Sequence, residues 1–83
     1  LNFLEPIIDK NNAQTAELMG TAITFIKGSG NFKAVSESLH IHENTLRYRL
    51  GKLHKLLDPN STEFEFYNNL NTAIKIYLIQ NNL

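Results

Sequence analysis

Apolar residues recur along this chain at spacings of three and four, and no stretch alternates long enough to predict a strand. The pattern predicts five helices. A short first segment, about Phe3 to Lys10, places Leu4, Ile7 and Ile8 on one side and tolerates Pro6 only near its start. A second helix runs from about Ala13 to Lys27, with Leu18, Ala22, Phe25 and Ile26 in register and Met19 and Ile23 widening the apolar face. Gly28 is a suitable stop. Asn31 is expected to cap a third helix that ends at Leu39 and turns Phe32, Val35 and Leu39 inward.

His40-Ile41-His42 leaves room only for a tight turn. The fourth helix, about 43–57, carries one apolar stripe of Leu46, Leu50, Leu53 and Leu57. Asp58-Pro59-Asn60-Ser61 reads as a turn. Thr62-Glu63-Phe64-Glu65 has the form of a capping box opening the last helix, to about Gln80. On that helix Tyr67, Leu70, Ile74, Tyr77 and Leu78 are expected on one face, and Ile76, Ile79 and Leu83 on a second. The expected fold class is therefore all-α, a small bundle of about five helices in one domain spanning 1–83.

Two helices joined by three residues suggest a helix-turn-helix unit over 31–57. Ser36 is small where the two helices must approach, and Ile41 is apolar where the turn must be pinned to the core. At about 100° per residue, with Leu46 at the centre of the buried stripe, Asn44, Tyr48, Gly51 and Lys55 fall opposite the core. Arg47 and Lys52 flank that outer face, and Thr45 and Arg49 sit nearer the core boundary.

Charge sharpens this reading. The formal net charge is zero, which by itself argues against nucleic-acid binding. Four of the eight Lys and Arg residues nevertheless fall between Arg47 and Lys55, and no Asp or Glu lies between Asn44 and Leu57. Amide, phenol, guanidinium and ammonium groups are those that meet base edges and phosphates in a major groove. The bland alternative is a solvated basic face on an ordinary surface helix. Asn44, Thr45 and Arg47 are the residues expected to read bases. Lys33, His42, Tyr48, Arg49, Lys52 and Lys55 are those expected on the DNA backbone. Arg49, near the core edge, has an internal ion pair as its alternative.

Other chemistry finds less support. There is no cysteine, so no disulfide framework or thiolate metal site exists. His40 and His42 would need a third ligand converging at about 2 Å, and His54 lies about three turns further along the helix. His42 is expected to cap the fourth helix and His40 to pack in the turn. No nucleophile–base pair, glycine-rich phosphate loop or paired carboxylate appears, with Asp9, Glu17 and Glu37 scattered on polar faces. Neither an enzyme nor a bound cofactor or metal is expected. No apolar stretch has the length of a membrane span, and a cytoplasmic setting is compatible with the cysteine-free composition. The second class of function is a protein-interaction or dimerisation module using the wide apolar faces of the second and last helices.

The run Leu39-His40-Ile41-His42-Glu43-Asn44-Thr45-Leu46-Arg47-Tyr48-Arg49-Leu50 resembles the signature of the C-terminal helix-turn-helix domain of PucR-type regulators, CdaR-like sugar-diacid regulators among them. The usual form is Leu-His-(Val/Ile)-His-x-Asn-Thr-Leu-x-Tyr-Arg-Leu. Gly30-Asn31 is similar to the Gly-Asn before the first helix of the motif, and Thr21 with Phe25-Ile26 to a Thr-Leu-x-x-Tyr-Leu helix. Asp58-Pro59 and Ala73-Ile74 are looser matches. Three departures are Ser36 in place of Ala, and Glu43 and Gly51 where Arg is common. The resemblance implies a Fis-like DNA-binding fold and a bacterial transcription regulator that binds double-stranded DNA as a homodimer. It also implies a position at the C-terminus of a larger protein, whose small-molecule response resides in an N-terminal region outside this chain. The first residue, Leu1, agrees with a fragment of such a protein.

Overall fold

The computed structural model describes residues 2–8 and 12–83. Among them are four α-helices and no strand: α1 (Ala13–Lys27), α2 (Phe32–Leu39), α3 (Glu43–Leu57) and α4 (Glu63–Gln80). A single 3-10 turn, Glu5–Ile7, precedes them.

Each helix begins at a side chain that satisfies a free backbone N–H. Asn12 Oδ1 accepts from Thr15 N at 2.9 Å, and Asn31 Oδ1 accepts from Ala34 N at 2.9 Å. His42 Nδ1 accepts from Asn44 N at 3.1 Å, which fixes the expected cap of α3. Thr62 and Glu65 form the full capping box of α4, with Glu65 N donating to Thr62 Oγ1 and Thr62 N to Glu65 Oε1.

The first expected helix is corrected to that 3-10 turn. Pro6 sits in its first positions, the N-cap residue Leu4 has no side-chain acceptor to offer, and Ile8 is already extended. Leu4 and Ile7 are buried all the same, so the segment packs as expected without being an α-helix. Lys10, where that helix was expected to end, and Asp9 lie outside the described residues.

The helix ends bear out one expectation and correct another. Helix α1 stops at Lys27 with Gly28 as its C-cap, as expected, and Ser29 takes the left-handed position after it, at φ 55°. Gly28 is also needed for space, because a Cβ there would stand 2.7 Å from Val35 Cγ2 of α2. At the end of α2, His40 takes the left-handed position at φ 57° and is exposed, where packing in the turn was expected. Ile41 N reaches back to Ser36 O at 3.0 Å, closing the helix as a Schellman turn and directing Ile41 onto the core.

Helix α1 is central, touching α2, α3, α4 and the 3-10 turn. Leu18, Ala22 and Phe25 from α1 meet Val35 of α2, Leu46, Leu50 and Leu53 of α3, and Phe66, Leu70 and Ile74 of α4 in one core. The expected inward face of α4 is shifted by one aromatic. Phe66 is fully buried and Tyr67 only half-buried. The Phe66 ring stacks on His54 of α3, with centroids 4.6 Å apart and planes 8° from parallel. His54 Nε2 is in turn 2.9 Å from Ser61 O. A carbonyl only accepts, so this bond places a proton on Nε2. The end of α3 is thereby tied to the turn that leads into α4.

Candidate nucleic-acid interface

Helix α3 owes its orientation to Leu46, Leu50 and Leu53, all buried. With that stripe held inside, Asn44, Thr45, Arg47, Tyr48, Gly51 and Lys55 are exposed. The Tyr48 ring is 68% exposed. Lys33, at the start of α2, and His42, at the start of α3, are exposed beside it. Arg49 excepted, the sequence-expected residues are exposed or, for Lys52, half-buried, at the start of α2 and along α3.

Arg49 turns the other way. Its Nη2 lies 3.1 Å from Glu17 Oε2, and its Nη1 donates to Thr21 Oγ1 at 3.2 Å. Thr21 is buried and donates to Glu17 O at 2.9 Å, so all three residues form one chain of bonds on α1. The Arg49 side chain keeps only 18% of its surface exposed. Its assignment to the DNA backbone is therefore replaced by the internal alternative, a clamp of α3 onto α1. Glu17 and Thr21 were missed as its partners because they stand 32 and 28 positions away in the chain.

Arg47 is held differently. Its guanidinium carbon lies over the Phe32 ring of α2, 4.8 Å from the centroid. Phe32 meets the buried Phe25 nearly at right angles, with centroids 5.6 Å apart. Tyr67 of α4 adjoins the same group, 5.4 Å from Phe25. Burial, the nearby Glu63 carboxylate and the hydrogen bond that Tyr67 donates to it all raise the phenol pKa above 10.0, while Arg47 acts in the opposite direction. Lys52 is half-buried, and its ammonium lies 5.9 Å from the centroid of the Tyr48 ring.

Gly51 faces open space, with nothing within 4 Å of a Cβ built there. Among the described residues no helix is long and apolar enough to cross a membrane.

Comparison with known families matches residues 18–76 to the PucR C-terminal helix-turn-helix domain. The chain belongs to this family. The matched span runs from the middle of α1 to near the end of α4 and contains the whole α2–turn–α3 unit. It is a family of DNA-binding regulator domains. Among curated proteins, the uncharacterized protein YsfB of Bacillus subtilis (strain 168) is 50% identical over 40 residues. Those residues are 48% of this chain but only 11% of YsfB. No solved structure gives a significant match.

Proposed function

We propose that this chain binds double-stranded DNA sequence-specifically, as the DNA-binding part of a PucR/CdaR-like transcription regulator, with α3 in the major groove. The observation that carries the reading is the exposed face of α3, which presents Asn44, Arg47, Tyr48 and Lys55 with no carboxylate from Asn44 to Leu57. A helix with its side chains is about 10–12 Å across, and the major groove is about 12 Å wide. The positive dipole end at the start of α3 favours an adjacent phosphate.

In this reading Arg47 donates to a guanine edge, Asn44 and Thr45 contact neighbouring bases, and Lys33, His42, Tyr48, Lys52 and Lys55 hold the backbone. No catalytic role is assigned to any residue. The protein acts in the cytoplasm, where its DNA is, and any small-molecule response belongs to a region outside this chain.

Homodimerisation completes the proposal. Two modules on half-sites about 34–36 Å apart read a palindrome, and joining them raises affinity without a new base contact. The exposed Ile76 and Ile79 of α4, with the exposed Leu83 just beyond its end, favour self-association alongside DNA binding. A protein-interaction module lacking DNA readout would use this face alone.

Titration with duplex DNA at increasing salt separates the two. About three neutralised phosphates per half-site give a slope of log affinity against log salt near −5. A slope near zero contradicts the DNA reading.

A further inference from the structure

Arg47 combines three properties. It is exposed on the outer flank of α3, it has no carboxylate within ion-pair distance among the described residues, and its guanidinium lies over an aromatic ring. The chemistry of the holding group matters here. A carboxylate would accept the in-plane N–H donors of the guanidinium, the same donors that a guanine O6/N7 edge requires. An aromatic face attracts the cation through its quadrupole and consumes none of them.

We propose that Phe32 is a positioning residue for DNA readout: its ring holds the Arg47 guanidinium on the DNA side of α3 while leaving every N–H free for a base. The inference rests on the proposed base-reading role of Arg47. Phe32 is suited to the task because it is itself fixed. It is the first residue of α2, directly after the Asn31 cap. Its ring is half-buried against the core and set nearly perpendicular to Phe25. Phe25 is in turn buried in the central helix α1. A rigid chain of contacts therefore runs from the core to the reading arginine. Sequence periodicity assigns Phe32 to the core alone, and the structure adds a second use for its remaining face. An unheld arginine would have to be ordered at the moment of binding, at a cost in side-chain freedom.

The test uses the 83-residue chain and two probes: a duplex enriched by selection from a random-sequence library with the wild-type chain, and an unselected duplex of the same length. F32L and F32M remove the π face and keep apolar volume; F32Y keeps the face. F32L and F32M are expected to weaken binding to the selected duplex about two- to fivefold, the size of an exposed cation–π contact. F32Y retains wild-type affinity, and the unselected duplex is bound equally by all. In an R47A background, F32L is expected to have no further effect.

In the free protein, the Arg47 δ-methylene protons should show an upfield ring-current shift by NMR, kept in F32Y and lost in F32L and F32M. Melting temperatures identify any variant that has lost its fold. The NMR comparison of wild type with F32Y stands whether or not F32L folds. Additive losses for F32L and R47A, or no ring-current shift in the wild type, overturn the positioning role alone. Tighter binding by F32L also overturns it, because the ring would then be holding the guanidinium away from DNA. Equal loss for R47A on both duplexes overturns the base-reading role and this inference with it.

Discussion

Two arginines stand two residues apart on α3 and meet opposite surroundings. Arg47 faces the side of α2, lies over an aromatic ring and is exposed. Arg49 faces α1, pairs with Glu17, bonds to the buried Thr21 and is largely covered. In sequence they are the same residue in the same basic stripe. Their separation of about 200° around the helix axis decides the difference, placing them on opposite flanks of the leucine stripe. One flank looks onto a helix carrying Glu17, the other onto the aromatic start of α2. A basic run on a helix is thus not one functional unit: here part of it anchors the helix and part is left for a partner.

The largest expected effect separates these roles. Arg47→Ala is expected to cost about 1–3 kcal/mol on the selected duplex, to relax preference at one base pair, and to leave the melting temperature nearly unchanged. Competition binding against single-base variants of the site measures it. A uniform loss across those variants would make Arg47 a backbone contact and erase its distinction from Lys52.

Arg49→Ala should do the reverse. It removes a partly covered ion pair and the bond to Thr21, together about 1 kcal/mol, since Glu17 is half solvent-exposed and its share is screened. For a domain of this size that lowers the melting temperature by about 4–8 °C. Calorimetry alongside the salt titration gives both numbers. An unchanged melting temperature with a shallower salt slope would place the guanidinium on DNA after all.

Lys52 sharpens the comparison because it lies on the same side of α3 as Arg49, yet its ammonium meets the Tyr48 ring and, among the described residues, no carboxylate. Lys52→Ala is expected to reduce the salt slope by about 0.9 for each copy bound, with stability unaltered. Loss of stability instead would assign Lys52 to the clamp.

The smallest effect concerns Tyr67 beside the Arg47 platform. Burial, then Glu63, raises its pKa in the folded state. Its contribution is therefore complete below the unfolded value of about 10 and is lost as pH rises through the folded one. The urea midpoint of the wild type should fall slightly more between about pH 9 and pH 11 than that of Tyr67→Phe. Identical falls would show that the phenol is no better protected in the fold than in the open chain.

Much of this architecture was legible before the structure, because the signals are local. Asn31 and the Thr62–Glu65 box mark helix starts through bonds spanning three residues, and Leu46, Leu50 and Leu53 declare the buried side of α3 by spacing alone. What was misread depends on distant parts of the chain. Phe66 and Tyr67 are adjacent aromatics that periodicity cannot rank, and the flat stack of Phe66 on His54 decides between them. The short first segment has the apolar content of a helix, but with Pro6 in its first positions and Ile8 already extended it makes only one 3-10 turn. Gly28 reads correctly as a stop signal, but its second constraint, the 2.7 Å approach of Val35, comes from another helix. At the site, exposure of Asn44, Arg47 and Tyr48 follows from the leucine stripe, whereas the partners Glu17 for Arg49 and Phe32 for Arg47 come from other helices.

The central claim is that the partner surface is the outer side of α3 with the start of α2. Backbone amide NMR during titration of the labelled chain with the selected duplex tests it directly. The account predicts shifts concentrated in Lys33 and in 42–52, with Ile76 to Leu83 nearly silent at one module per duplex. Shifts confined to Ile76 to Leu83, with 42–52 unmoved, would contradict it.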